Sequence, residues 1–152
     1  MRKSKRFLLP VGALTALIVL AAAGRSAWAY LINPCDVGAV KEASAFLTRQ
    51  LQSYDDLYQF TTTVYPDGLD SPVRKLQQIF METQAVEVPV CMQAAKGELL
   101  EYMGTVIRAF QAYAAGEEGR TLRDLIDQAN THYGNFRSEL QAVNACAPFC
   151  FP

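Results

Sequence analysis

Cys35, Cys91, Cys146 and Cys150 are the residues of this chain whose chemistry is most constrained by type and position. A thiol can be a nucleophile, a metal ligand or half of a disulfide, and the compartment largely decides which. The compartment is written in the first thirty residues. Met1 to Arg6 carries four basic residues and no acid, and Phe7 to Ala23 runs without a charge. Ala27-Trp28-Ala29 then supplies a small-x-small cleavage signal. The pattern predicts a signal peptide over 1–29, cleavage after Ala29, and a single helical domain over 30–152. The competing reading is a retained anchor, because the apolar run is nearly long enough to span a bilayer. Pro10 and the Ala-x-Ala end favour cleavage. The expected location is therefore periplasmic or secreted.

In an oxidising compartment an even set of cysteines predicts disulfides. Zinc or an iron–sulfur cluster would use the same thiolates, but the Cys-x-x-x-Cys spacing of Cys146 and Cys150 across Pro148 does not suit a zinc site. A redox-active pair would be Cys-x-x-Cys in a strand-helix context, which is not present.

Other chemistry is thinly supplied. His132 is the only histidine. A non-covalent haem would need it opposite a methionine such as Met81, Met92 or Met103, and a di-iron bundle would need Glu where Ala129 stands. Ser44, Ser53, Ser71 and Ser138 sit on no glycine-flanked turn of the kind that exposes a nucleophile. Asp67, Asp70, Glu117 and Glu118 fall in loops, without the spacing of a calcium loop. No catalytic, cofactor-binding or metal-binding residue is predicted. Tyr54, Asp55, Asp56, Leu57, Tyr58 and Tyr65 form a cluster, half of it core by periodicity, that could contact a partner.

Charge narrows the partners. Residues 1–29 hold five of the fourteen basic residues and none of the fifteen acidic ones, which leaves nine against fifteen and a net charge near −6 after cleavage. An acidic exported domain suits neither nucleic acid nor an anionic membrane surface.

The elements that must position these residues read as helix throughout. Val37, Val40, Ser44, Leu47, Leu51, Tyr54, Tyr58 and Thr61 recur at 3–4 spacing and predict a helix over 34–62, with Asn33 as cap and Pro34 at its first position. Tyr65-Pro66-Asp67-Gly68 is turn chemistry. Ser71-Pro72 predicts the start of a short second helix, with Val73, Leu76, Phe80 and Thr83 inward and an end near Val86. A third helix starts at Pro89, carries Leu99, Met103, Val106, Phe110 and Tyr113, and ends at Gly116. Thr121 with Asp124 resembles a capping box for a fourth. Its stripe is the cleanest in the chain: Leu122, Ile126, Ala129, Tyr133, Phe136, Leu140 and Val143. No segment alternates with period two.

Four such helices predict an all-α, up-down-up-down four-helix bundle with a short second helix. In it, the starts of the first and third helices and the end of the fourth share a pole, so all four cysteines converge there. Helix adjacency favours bridges from Cys35 and Cys91 to the Cys146/Cys150 pair. The alternative is Cys35–Cys91 with Cys146–Cys150, across the bundle diagonal. The groove beside the end of the short helix must be filled by the loop over 64–69 or left open.

These readings imply a non-enzymatic binding or accessory module of the bacterial envelope, with an envelope protein or a small ligand as partner and no cofactor. The alternative is a carrier of haem or a small apolar molecule in the bundle core. If the export reading holds, the intact mass of the envelope-localised protein corresponds to a chain beginning at Tyr30. A mass that includes residues 1–29 would establish a retained anchor.

Overall fold

The structure, a computed structural model, describes residues 35–146. The export signal, its cleavage site, Asn33, Pro34, Cys150 and the side chain of Cys146 lie outside the described residues. Among the described residues four α-helices follow in order: α1 Val37–Thr61, α2 Asp70–Ala85, α3 Gln93–Ala114 and α4 Arg120–Cys146. Short 3₁₀ turns at Pro66–Gly68 and Val90–Met92 precede α2 and α3. Among the described residues there is no strand, and no helix is long and apolar enough to cross a membrane.

The helix ends have local causes. Asp36 caps α1, its carboxylate accepting from the peptide N–H groups of Gly38 and Ala39 at 3.0 and 3.2 Å. The expected cap at Asn33 is thus displaced by three residues, and Cys35 precedes the helix instead of lying in its first turn. α2 starts at Asp70, one residue ahead of Ser71, because the preceding 3₁₀ turn leads into it and the Leu69 carbonyl already accepts from Val73. The chain breaks between α2 and α3, with extended backbone at Val86 and Pro89. Lys96 Nζ reaches back to the carbonyls of Gln84 (2.8 Å) and Val86, which satisfies the end of α2 with a positive charge. Gly116 ends α3 at φ +82°, where Glu117 N–H bonds to Ala112 O and Gly116 N–H to Tyr113 O. This double bond pattern requires a left-handed residue, which glycine supplies without a Cβ clash. At α4 the expected capping box is not the start: the helix begins at Arg120, and the Gly119 carbonyl accepts from Arg123.

α2 has 16 residues against 25, 22 and 27 for α1, α3 and α4, so the second helix is the short one. Leu47, Tyr54, Leu76, Leu99, Met103 and Phe136 are fully buried where the helices meet. Each side chain of this size stabilises the fold by ~1.5–3 kcal/mol on burial. Leu69, in the connection before α2, is also fully buried and closes one side of the bundle.

The arrangement is a rhombus in section, not a square. α1 and α3 touch directly across the short diagonal, and α2 and α4 flank them on opposite sides. Tyr54 spans this diagonal: its hydroxyl donates to the Met103 carbonyl at 2.7 Å, and its ring meets Tyr102 edge-on at 5.8 Å. The same diagonal decides the disulfide. Cys35 is joined to Cys91, with Cα atoms 6.0 Å apart, and the Cys91 peptide N–H also points to Cys35 Sγ at 3.2 Å. This overturns the expectation that each is bridged to the C-terminal pair. Both cysteines lie just outside their α-helices, one before the Asp36 cap and one in a 3₁₀ turn, so they meet over the end of the short diagonal.

The bridge spans 56 residues, and closing a loop of that length stabilises the fold by about 4 kcal/mol in the chain-entropy model. Non-reducing peptide mapping is expected to recover the Cys35 and Cys91 peptides joined. Replacing both by serine is expected to lower the melting temperature by more than ~10 °C while leaving most helicity at low temperature. Recovery of Cys35 joined to the C-terminal peptide would contradict this packing.

Candidate apolar groove

Where α1 ends, the bundle opens. At the other end α1 and α4 are tied together, with the Ser44 hydroxyl donating to Asn144 Oδ1 at 3.1 Å. Towards Thr61 they stop closing over α3, and a groove of about 310 Å³ lies between the three helices.

Helical periodicity builds its walls. α3 contributes Tyr102, Val106, Ala109, Phe110 and Tyr113, one face at 3–4 spacing. α4 contributes Leu122, Ile126, Ala129 and Asn130 in the same way. The last turn of α1 adds Tyr58 and Thr61, and Thr62 and Val64 follow from the connection. The apolar stripe of α4 therefore has two fates. Its Ala129 and Phe136 are buried, whereas Leu122 is half-buried and Ile126 is 49% exposed at the mouth of the groove. Tyr113 is also exposed there, and Phe60 and Tyr65 are exposed on the neighbouring segment. Of the two alternatives for the space beside the short helix, filling by the 64–69 loop or an opening, the structure shows the first at Leu69. Leu69 fills that side, and a second cavity of about 270 Å³ beside α2 is more polar, bordered by Asp70, Arg74 and Gln77. Phe110 forms a wall of both.

Behind the groove lies a polar network that sequence reasoning had seen only as a tyrosine-rich cluster. Tyr102 Oη donates to Asp55 Oδ1 at 2.9 Å. Tyr102 also packs on Tyr133 at 5.4 Å, and Tyr58 on Phe110 at 5.7 Å. Burial pushes the Tyr54 and Tyr102 phenols well above their usual range, so both remain donors at any ordinary pH. The Asp55 carboxyl is raised above its ordinary value of 3.8: burial raises it most, the Tyr102 hydrogen bond opposes this, and the neighbouring Asp56 charge adds to it.

The remaining sequence candidates are dispersed. His132 Nδ1 lies 2.7 Å from Glu98 Oε2, with Asn135 Nδ2 at 3.3 Å from the same oxygen. This pairing between α3 and α4 leaves His132 outside the groove. Met92 and Met103 are fully buried and Met81 is 61% exposed, and none of them lines the groove, so the histidine–methionine pair that haem would need is not assembled there. Ser44 is engaged with Asn144, and its hydroxyl also lies 3.9 Å from Met92 Sδ, so it is not brought to His132. Among the described residues no three His, Cys, Asp or Glu side chains are grouped to hold a metal ion, Asp67, Asp70, Glu117 and Glu118 included. The groove itself was not legible in the sequence. Its one signal was the length of the α4 stripe, which begins at Leu122, opposite the point where α1 gives out.

Compared with known proteins, the chain matches no family model, no curated protein and no solved structure.

The folded state holds the Asp55 proton more tightly than the unfolded chain does. The carboxyl therefore contributes stability at low pH that is lost as pH rises through its folded pKa. Asp55→Asn keeps an acceptor for Tyr102 but has no such loss. Its stability relative to the wild type is expected to rise between the ordinary carboxylate range and neutral pH in urea titrations. Tyr102→Phe removes the bond that holds the pKa down and is expected to cost about 1–2 kcal/mol at neutral pH. A pH-independent difference for Asp55→Asn would refute this account.

Proposed function

We propose that this is an exported, non-enzymatic binding module, and that the groove between α1, α3 and α4 is where it takes a small ligand. In this reading the chain is an up-down-up-down bundle, released from its signal segment and stapled at the pole opposite the groove. The observation that carries it is the uncovered apolar stripe of α4. Leu122 and Ile126 continue the face that buries Ala129 and Phe136, yet among the described residues Leu122 is only half-buried and Ile126 is exposed. An apolar face left open beside aromatic walls is costly in water and is what a binding site needs. The volume lies at the lower end of the range for small-molecule sites.

Other features support parts of the reading. The Cys35–Cys91 bridge fits an oxidising compartment. The lining holds no Ser, Cys, His, Asp, Glu, Lys or Arg, and its hydroxyls come from tyrosine and threonine alone.

Fluorescence of the neutral dye N-phenyl-1-naphthylamine tests the site. The mature chain is expected to bind it saturably, with a rise and blue shift in emission. Ile126→Trp, at the exposed mouth, and Ala109→Phe, in the α3 wall, are expected to weaken binding by more than ~10-fold at unchanged helicity. Unsaturable binding, or binding that ignores both substitutions, would remove the groove as a site.

A further inference from the structure

We infer that the ligand of this groove is an organic cation of the quaternary ammonium type, held against its aromatic walls. This rests on the binding reading above and names the ligand class of the same site.

The walls come first. Tyr58, Tyr102, Phe110 and Tyr113 all line the groove, and they come from two different helices. An aromatic ring carries negative potential on its face. A cation within about 6 Å of the ring centre is attracted to it, more strongly where water is displaced. The Tyr58 and Phe110 rings stand 5.7 Å apart with their planes at 56°, so a ligand beside them meets rings at two inclinations. The same aromatic series already holds one cation within the molecule. Tyr102 packs on Tyr133 at 5.4 Å, and the Arg137 guanidinium lies 5.9 Å from the Tyr133 ring centre. Tyr133 stands outside the lining, so this internal pair does not occupy the groove walls.

Charge comes second. Among the described residues that line the groove none is Lys, Arg or His, so no wall repels a cation. Asp55 lies one helical turn before Tyr58 and accepts from Tyr102 at 2.9 Å, which sets a carboxylate behind the wall. The α3–α4 connection and the first turns of α4 carry Glu117, Glu118, Asp124 and Asp127 against Arg120 and Arg123. This excess of acid gives the open end of the bundle a negative potential. An anionic ligand would be repelled by it and would shed water without meeting a cationic partner.

The type of cation comes third. A primary ammonium has three N–H donors, and each needs an acceptor when it leaves water. A quaternary ammonium has none. Its charge is spread over methyl groups, which pack against rings and against aliphatic side chains such as Val106 and Ile126. The space of about 310 Å³ suits one such head with a ring or short chain attached.

The test is displacement of N-phenyl-1-naphthylamine from the mature, disulfide-bonded protein by four compounds on one phenyl ring. They are benzyltrimethylammonium, its uncharged carbon isostere neopentylbenzene, benzylammonium and phenylacetate. Benzyltrimethylammonium is expected to displace best, and the isostere about fivefold less well for the loss of the cation–ring attraction. Benzylammonium is expected to be weaker by more than ~3-fold, and phenylacetate by more than ~10-fold. Tyr58→Leu and Tyr113→Leu keep the walls apolar. Each is expected to weaken the quaternary ion by more than ~3-fold at unchanged helicity and to leave the isostere unchanged. An isostere or phenylacetate equal to or better than the quaternary ion would overturn the cation class. Benzylammonium equal to it would overturn the quaternary assignment. Tyrosine variants that weaken the ion and the isostere alike would overturn the rings as the source of selection. In all three cases the groove would stand as a site if Ile126→Trp still blocks the dye. Displacement that is unaffected by Ile126→Trp and Ala109→Phe would overturn the groove together with the ligand class.

Discussion

The contact between α1 and α3 is the constraint on which the rest of the structure depends. Tyr54 is fully buried, and a buried phenol needs an acceptor. It finds one in the Met103 carbonyl, half-way along α3. That bond fixes how far apart the two helices lie and how they are aligned lengthwise. Ser44 against Met92, Tyr54 against Met103 and Tyr58 against Phe110 follow as successive rungs of the same contact. The Cys35–Cys91 bridge closes its foot. With this diagonal short, α2 and α4 are pushed to opposite sides and each must find its own partners.

For α4 the consequence is uneven burial. Near its C-terminal end it meets α1, through Ser44 and Asn144, and the Phe136 ring is enclosed. Towards its N-terminal end α1 has already stopped at Thr61, so the stripe runs past the last turn of α1. The groove is thus a mismatch in reach between two helices, walled by α3. The β-branched run from Thr61 to Val64 contributes to that early stop. Thr61, Thr62 and Thr63 donate their hydroxyls to local carbonyls, a pattern that competes with continued helix.

The Asp55–Tyr102 pair shows a second compromise. A carboxylate partly withdrawn from water is penalised, and the raised Asp55 pKa records it. The Tyr102 hydroxyl recovers part of that loss and, in doing so, orients a residue of the groove wall. The pair therefore links the stability of the bundle to the wall of its open site.

Local physics was sufficient for much of this protein. The 3–4 recurrence of apolar residues, the glycine at 116 and the proline at 89 depend only on neighbours within a turn or two. The four helices, the short α2, the break before α3 and the end of α3 were accordingly legible. So was the meeting of Cys35 and Cys91 at one pole. Small displacements arose where a competing cap was one turn away, as at Asp36, or where a 3₁₀ turn led into the helix, as before α2. Tertiary structure alone decided the rest. Periodicity says which residues share a face, but not whether another helix covers it, so Ile126 read as core and stands at an opening. A square and a rhombus have the same helix pattern, and only the size of Tyr54 and the carbonyl it reaches chose between them. That choice paired the two cysteines across the diagonal, while the packing of α4 on α3 placed His132 against Glu98 and the end of α1 at Thr61 left Ile126 exposed.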